Sequence, residues 1–112
     1  MASTGNPIIE AARLHFRADE RRAIEVPEWG VVLQYAPVTL ADKRLLHNRY
    51  KDGGLQEMYV HALILKAQKP DGSPAFTLDD KRDLMTKVDP AVVERIAATM
   101  LQAMAPEDAE KN

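Results

Sequence analysis

The sequence predicts a mainly α-helical α+β domain with four to five short helices and one antiparallel β-hairpin near the N-terminus. Apolar residues recur at helical spacing in several segments, and residues that commonly cap helices precede these segments. Residues 22–35 instead carry a period of two, which is typical of β-strands. The length of 112 residues fits a single domain. We expect that domain to span residues 7–105, between a flexible N-terminus at 1–6 and a flexible polar tail at 106–112.

The first helix is predicted to begin at Pro7 and to run to about Ala18. Asn6 is a favourable N-cap, and proline suits the first helical position because that position needs no N–H donor. One side of the helix is apolar and consists of Ile8, Ile9, Ala12 and Phe16. The charged run at 17–22 then ends the helix and connects it to the next element.

The β-hairpin is predicted for residues 22–35 because side-chain character alternates over 22–26 and again over 31–35. Pro27-Glu28-Trp29-Gly30 joins the two strands, with proline early and glycine last, as in a type I-like turn. Two strands alone are only marginally stable in water. One face of the hairpin must therefore pack against helices.

The middle of the chain is predicted to form two helices separated by a break at Gly53-Gly54. The first begins after the N-cap Thr39, with Asp42 in its first turn, and fades near Tyr50. The second covers residues 55–68 and is apolar on nearly all sides, which indicates a central, largely enclosed helix. A strand over 59–65 is the alternative, because short apolar runs are ambiguous.

The C-terminal part is predicted to contain a turn at 69–74 followed by two helices. Thr77 caps a short helix that directs Leu84 and Met85 inward. Asp89-Pro90 starts the last helix, which ends at Pro106. Its apolar stripe consists of Val93, Ile96, Ala97, Met100, Leu101 and Met104.

The composition argues against several classes of function. Lysine and arginine number 15 against 17 acidic residues, so the chain has no basic excess for nucleic-acid binding. It has no cysteine, which excludes disulfides and thiolate chemistry. The apolar run at 62–65 is far shorter than the roughly 20 residues that span a bilayer. Residues 1–20 contain no signal-peptide pattern, so we expect a cytoplasmic protein with no membrane partner.

The sequence contains no recognisable catalytic or cofactor motif. His15, His47 and His61 lack the spacing of a helical metal site. Ser3 and Ser73 lie in no nucleophile motif, and the five glycines form no phosphate-binding loop. We therefore expect a protein that is not an enzyme and that needs no cofactor or metal.

A protein–protein contact is the function that the residue types favour. Trp29, the single tryptophan, lies at the hairpin turn, and tryptophan is enriched at interface hot spots. Methionine-rich helix faces can also form adaptable binding surfaces. We predict Trp29, Tyr35, Met100 and Met104 as partner-binding residues. The alternative is that Trp29 anchors the core and that the helix methionines lie within it.

The order of the motifs resembles that of the tail assembly chaperones of long-tailed, siphovirus-type bacteriophages and prophages. The resemblance rests on Glu25-Val26-Pro27-Glu28-Trp29-Gly30, on Val38-Thr39-Leu40 before a charged helix, and on two later segments. These are the segment from Pro70 to Asp80, with its D-G-x-P-x-F-T pattern, and the segment from Asp89 to Ile96. Together they cover roughly residues 8–104, almost the whole chain.

The resemblance implies a non-enzymatic assembly factor in the cytoplasm of the bacterial host. Such chaperones bind the tape-measure protein, keep its hydrophobic helical segments soluble and help to recruit tail-tube subunits. They leave before the tail is finished, so this chain is not expected in the virion. Many also have a second form, extended at the C-terminus by ribosomal frameshifting. Self-association remains a further option, and the alternative function is a tail-completion or connector subunit retained in the particle.

Overall fold

The computed structural model describes residues 6–102 and confirms the predicted α+β class. Its helices are α1 (Pro7–Phe16), α2 (Leu40–Lys66), α3 (Lys81–Thr86) and α4 (Pro90–Gln102). Its strands are β1 (Arg22–Val26) and β2 (Val31–Tyr35), and one-turn 3-10 helices cover Pro27–Trp29 and Leu78–Asp80. The tail at 106–112, the helix end at Pro106 and all of the N-terminus except Asn6 lie outside the described residues.

Helix α1 begins as predicted but ends two residues before the predicted Ala18. The Asn6 side chain accepts hydrogen bonds from the N–H groups of Ile8 (3.1 Å) and Ile9 (3.2 Å). Arg17 has a left-handed backbone (φ 56°) and its N–H donates to the Arg13 carbonyl, which stops the helix. No residue of α1 is buried. This helix therefore gains its order from capping rather than from packing.

The hairpin has the predicted strands, and its register pairs Arg22 with Tyr35 and Val26 with Val31. Its connection is a 3-10 turn that ends at Gly30. Gly30 has a φ of 67°, a left-handed conformation that glycine adopts without a steric penalty. On the other side of β2, Gln34 and Gln68 exchange two backbone hydrogen bonds of 2.8 and 2.9 Å. The chain after α2 thus adds one residue of strand pairing to the hairpin.

Helix α2 joins the two predicted middle helices through a kink. At its start Thr39 and Asp42 form a reciprocal capping box, and Lys66 Nζ lies 2.8 Å from Asp42 Oδ2. The predicted end near Tyr50 is wrong, because the helix continues to the kink at Gly54. Gly54 alone has non-helical angles (φ 89°, ψ −171°), a region open essentially to glycine. The alternative strand over 59–65 is also wrong, since these residues are helical.

Thr77 caps the 3-10 helix Leu78–Asp80, which leads directly into α3, and Asp89 caps α4 as predicted. Thr77 and Asp80 form a second capping box, and the Asp89 side chain accepts a hydrogen bond from the Ala91 N–H (3.0 Å). Leu84 is buried as predicted, but Met85 is 42% exposed. The prediction for Met85 is wrong because α3 has only six residues and buries only Leu84.

The core lies where the C-terminal half of α2 meets α4 and the inner face of the hairpin. It buries apolar residues from each of these elements: Ile24, Val26, Leu33, Val60, Leu63, Val93 and Ile96. α2 is the central helix that its apolar pattern predicts. The hairpin packs one face on the helices and leaves an edge of β2 beside the turn at 69–74.

Candidate partner-binding surface

The described residues contain no group of three or more histidine, cysteine or acidic side chains placed to hold a metal ion. His61 is buried in α2, whereas His15 and His47 are exposed on α1 and α2. Within residues 6–102, no helix has the length and apolar character needed to cross a bilayer.

The residues predicted to bind a partner lie in different environments. Tyr35 is 4% exposed and Met100 is fully buried, so both side chains belong to the core. Trp29 is partly buried at the hairpin turn, where it packs against the core and still lines the surface. Met104 lies outside the described residues. Trp29 lines a surface cavity.

That cavity runs along the free edge of β2, and we call it the β2-edge groove. Its volume is about 430 Å³, and Trp29, Val31–Leu33, Pro70, Ala75 and Phe76 line it together with Lys69. Lys69 is the single charged residue of this lining. Val31 and Val32 are 43% and 45% exposed, although both are β-branched strand residues. The groove is therefore an accessible apolar surface with one positive charge.

The Trp29 side of the groove is fixed by contacts of the turn. The Trp29 and Phe76 rings meet edge to face, with centroids 6.3 Å apart and planes at 78°. Next to Trp29, Glu28 accepts two hydrogen bonds of 2.6 and 2.9 Å from the Arg95 guanidinium on α4. These hydrogen bonds lower the pKa of Glu28 to about 2. The ion pair thus ties the hairpin turn to α4 and holds the tryptophan in place.

The opposite side of the groove is a tight turn that encloses Pro70. The Gly72 N–H donates to the Lys69 carbonyl (2.8 Å), and Gly72 has a φ of 92°. The Asp71 carboxylate accepts hydrogen bonds from the N–H (2.9 Å) and hydroxyl (2.6 Å) of Ser73. This network makes the turn a closed unit, so Lys69 and Pro70 form a defined wall.

Helix α1 presents a second apolar surface. Ile8 is 78% exposed, Ile9 49% and Phe16 36%, and these residues lie on one side of the helix. The predicted apolar side of α1 therefore exists, but it faces solvent rather than the core.

A partly buried polar cluster links α2 to α3. Glu57 pairs with Lys81 across the two helices, and His61 Nε2 lies 3.7 Å from Glu57 Oε2, too far for a hydrogen bond. His61 is 9% exposed, and its Nε2 has no hydrogen-bond partner among the described residues. Burial, followed by the positive charges of Lys81 and Arg49, lowers the pKa of His61 below its ordinary 6.5. The folded protein therefore favours the neutral imidazole at pH 7.

We expect stability to fall between pH 7.5 and pH 5.5. Because the pKa of His61 is lower in the folded state, the unfolded chain binds this proton first as the pH falls. The stability that the neutral His61 imidazole contributes is fully present above the unfolded pKa of about 6.5. It is lost progressively as the pH falls from there towards the lower pKa of the folded state. Glu57 stays ionised in this window, since the hydrogen bond from Lys81 lowers its pKa from 4.5. Urea unfolding at both pH values measures the effect.

A His61→Leu variant is expected to flatten that pH dependence, whereas His47→Leu on the exposed part of α2 should keep it. Equal slopes in the two variants would show that another group is responsible.

The sequence matches none of the protein-family models and none of the curated proteins with which it was compared. A solved structure is similar: the tail assembly chaperone of bacteriophage HK97 aligns with a TM-score of 0.54 at 14% sequence identity. The alignment covers 87% of this chain and 97% of the phage protein. The chain has the fold of a bacteriophage tail assembly chaperone. At this identity the likeness extends to the fold, over nearly the full length of the phage chaperone.

Sequence reasoning found one wall of the β2-edge groove and missed the rest. Val32 carried a detectable signal, because it is an apolar residue on the side of β2 that also carries the polar Gln34. Phe76 and Lys69 carried no sequence signal that would place them at this surface. They reach the groove only because the chain after α2 returns to β2 through the Gln34–Gln68 pair.

Proposed function

We propose that this chain is a phage or prophage tail assembly chaperone that binds the tape-measure protein and keeps it soluble. In this proposal it also helps to recruit tail-tube subunits. It acts in the cytoplasm of the bacterial host, leaves before the tail is complete and uses no cofactor or catalytic step.

The observation that carries the proposal is the full-length likeness to the fold of the HK97 tail assembly chaperone. The order of motifs from Glu25 to Ile96 resembles that of the same family and supports the same assignment.

The surface supports the proposal on physical grounds. A chaperone of this kind must expose apolar side chains and remain soluble, so it needs apolar patches next to charged ones. The β2-edge groove and the apolar side of α1 are such patches, on a chain in which 29% of residues are charged. Binding spread over modest contacts also permits release, since every 1.4 kcal/mol of lost contact weakens affinity about tenfold.

Co-expression with the tape-measure protein from the same genome tests the proposal. We expect the tape-measure protein to be soluble and to co-purify with this chain, and to be insoluble when an unrelated soluble protein of similar mass replaces it. If the tape-measure protein stays insoluble while this chain is free in solution, the proposal is wrong. A stable ring of this chain in purified virions would then favour the tail-completion or connector function.

A further inference from the structure

We propose that the β2-edge groove binds an extended, apolar segment of client polypeptide as an additional β-strand beside β2, with an acidic client residue near Lys69. The identity of the client rests on the proposed function. The mode of binding rests on the backbone geometry of β2.

The free edge of β2 has backbone groups available for a strand. Gln34 pairs with Gln68 on the side of β2 that faces away from β1. In an antiparallel sheet, residues two apart direct their N–H and C=O groups to the same side. The N–H and C=O of Val32 therefore point to that side as well, and neither has a backbone partner among the described residues.

The chain itself cannot fill this position. Continuing the antiparallel pairing of Gln34 with Gln68 would place Pro70 opposite Val32. Proline has no N–H to donate to the Val32 carbonyl. In addition, the chain turns away here, because the Lys69 carbonyl already accepts the Gly72 N–H and Gln68 pairs with Pro74. The edge is left open where the groove begins.

The groove has the shape and chemistry that strand addition requires. Residues from both faces of β2, Val32 and Leu33, line it, so the cavity lies at the edge of the strand rather than above one face. Backbone hydrogen bonds would supply affinity, and the pocket beside Trp29 and Phe76 would take an apolar side chain. Lys69 is the single charge in the lining and favours an acidic residue.

Two other occupants fit less well. A helix satisfies its own backbone groups and would leave Val32 unpaired. A second copy pairing edge to edge would bring the Lys69 turns of both copies together, which places like charges close to each other. An extended client segment has neither disadvantage.

The test measures binding of overlapping 15-residue peptides that cover the tape-measure protein, using the fluorescence of Trp29, the single tryptophan. Val32→Pro removes the outward N–H, and proline is tolerated at such an edge position. We expect Val32→Pro to weaken binding of the tightest-binding peptide at least tenfold, or by about 1.4 kcal/mol. The matched control is Ala23→Pro, which removes an outward N–H from the other edge of the hairpin. The affinity of Ala23→Pro for the same peptide should stay within about twofold of that of the wild type.

A second measurement covers the case in which Val32→Pro does not fold. Amide hydrogen exchange in the wild-type complex should slow at Val32 and remain unchanged at Ala23.

Wild-type affinity in a folded Val32→Pro variant, or an unprotected Val32 amide in the complex, would overturn the strand-addition proposal and leave the proposed function intact. Co-purification of the tape-measure protein without binding of any peptide would also overturn the strand-addition proposal and leave the proposed function intact. Failure of wild-type chain to bind the tape-measure protein in any form would instead reject the proposed function. A shift of the free chain to a dimer that protects Val32 would assign the edge to a second copy and overturn the client proposal.

Discussion

Replacing Met100 by alanine is expected to destabilise the domain by about 2–5 kcal/mol, the usual cost of truncating a fully buried methionine. Met100 has no exposed surface and belongs to the core cluster between α2, α4 and the hairpin. Its removal leaves a cavity that the surrounding helices close only in part. Since domains of this kind are stable by only about 5–15 kcal/mol, the change is a large fraction of the total.

Urea unfolding monitored by circular dichroism measures this loss. Met85→Ala on α3 is the matched control, because that side chain is 42% exposed, and we expect a change within about 0.5 kcal/mol. If Met100→Ala kept wild-type stability and lost client binding, Met100 would be a contact residue as the sequence predicted. The structure favours the opposite result.

Replacing Trp29 by alanine is expected to weaken client binding by about thirtyfold or more, because truncating a tryptophan hot spot commonly costs at least about 2 kcal/mol. The variant should remain folded, since Trp29 is only partly buried and Glu28 stays anchored to Arg95. Loss of the edge-to-face contact with Phe76 accounts for a melting-temperature decrease of a few degrees.

Thermal melting and a tape-measure pull-down separate the two effects. Tyr50→Ala is the control, because Tyr50 is an aromatic residue that is 47% exposed and does not line the groove. Tyr50→Ala should change neither the melting temperature nor the binding of the tape-measure protein. Trp29→Ala with unaltered melting and binding would remove Trp29 from the binding surface.

The parts of the fold that the sequence predicted are those determined by local chemistry. Asn6, Thr39 and Thr77 each accept a hydrogen bond from a backbone N–H in the first turn of a helix, so a short stretch of sequence decides where the helix starts. Gly30 likewise ends the turn through its own left-handed φ, which requires no contact with a distant segment. The hairpin and the helix starts follow from such signals.

Other predictions concerned features that local patterns leave open. Tyr50 was expected to lie near a helix end, but the helix continues through Gly53 despite the low helix propensity of glycine, and only Gly54 leaves the helical region. Tyr35 and Met100 are apolar enough for either a core or an interface, and the packing of β2 and α4 on α2 decides for the core.

The candidate site was less accessible to sequence reasoning than the fold. The β2-edge groove joins Val32 to Phe76, which lie far apart in the chain, through the pairing of Gln34 with Gln68. Pro70 would lie opposite Val32 if the pairing of Gln34 with Gln68 continued, and it has no N–H to close the edge, which becomes clear only when that register is known. Trp29 was identified because its residue type alone is informative.

The most direct test of the account is whether purified chain prevents aggregation of the tape-measure protein when the latter is diluted from denaturant, measured by light scattering. We expect suppression that saturates at a fixed molar ratio, is weakened by Trp29→Ala and is unaffected by Tyr50→Ala. Scattering that is the same with and without the wild-type chain, at any ratio, would contradict the proposed function.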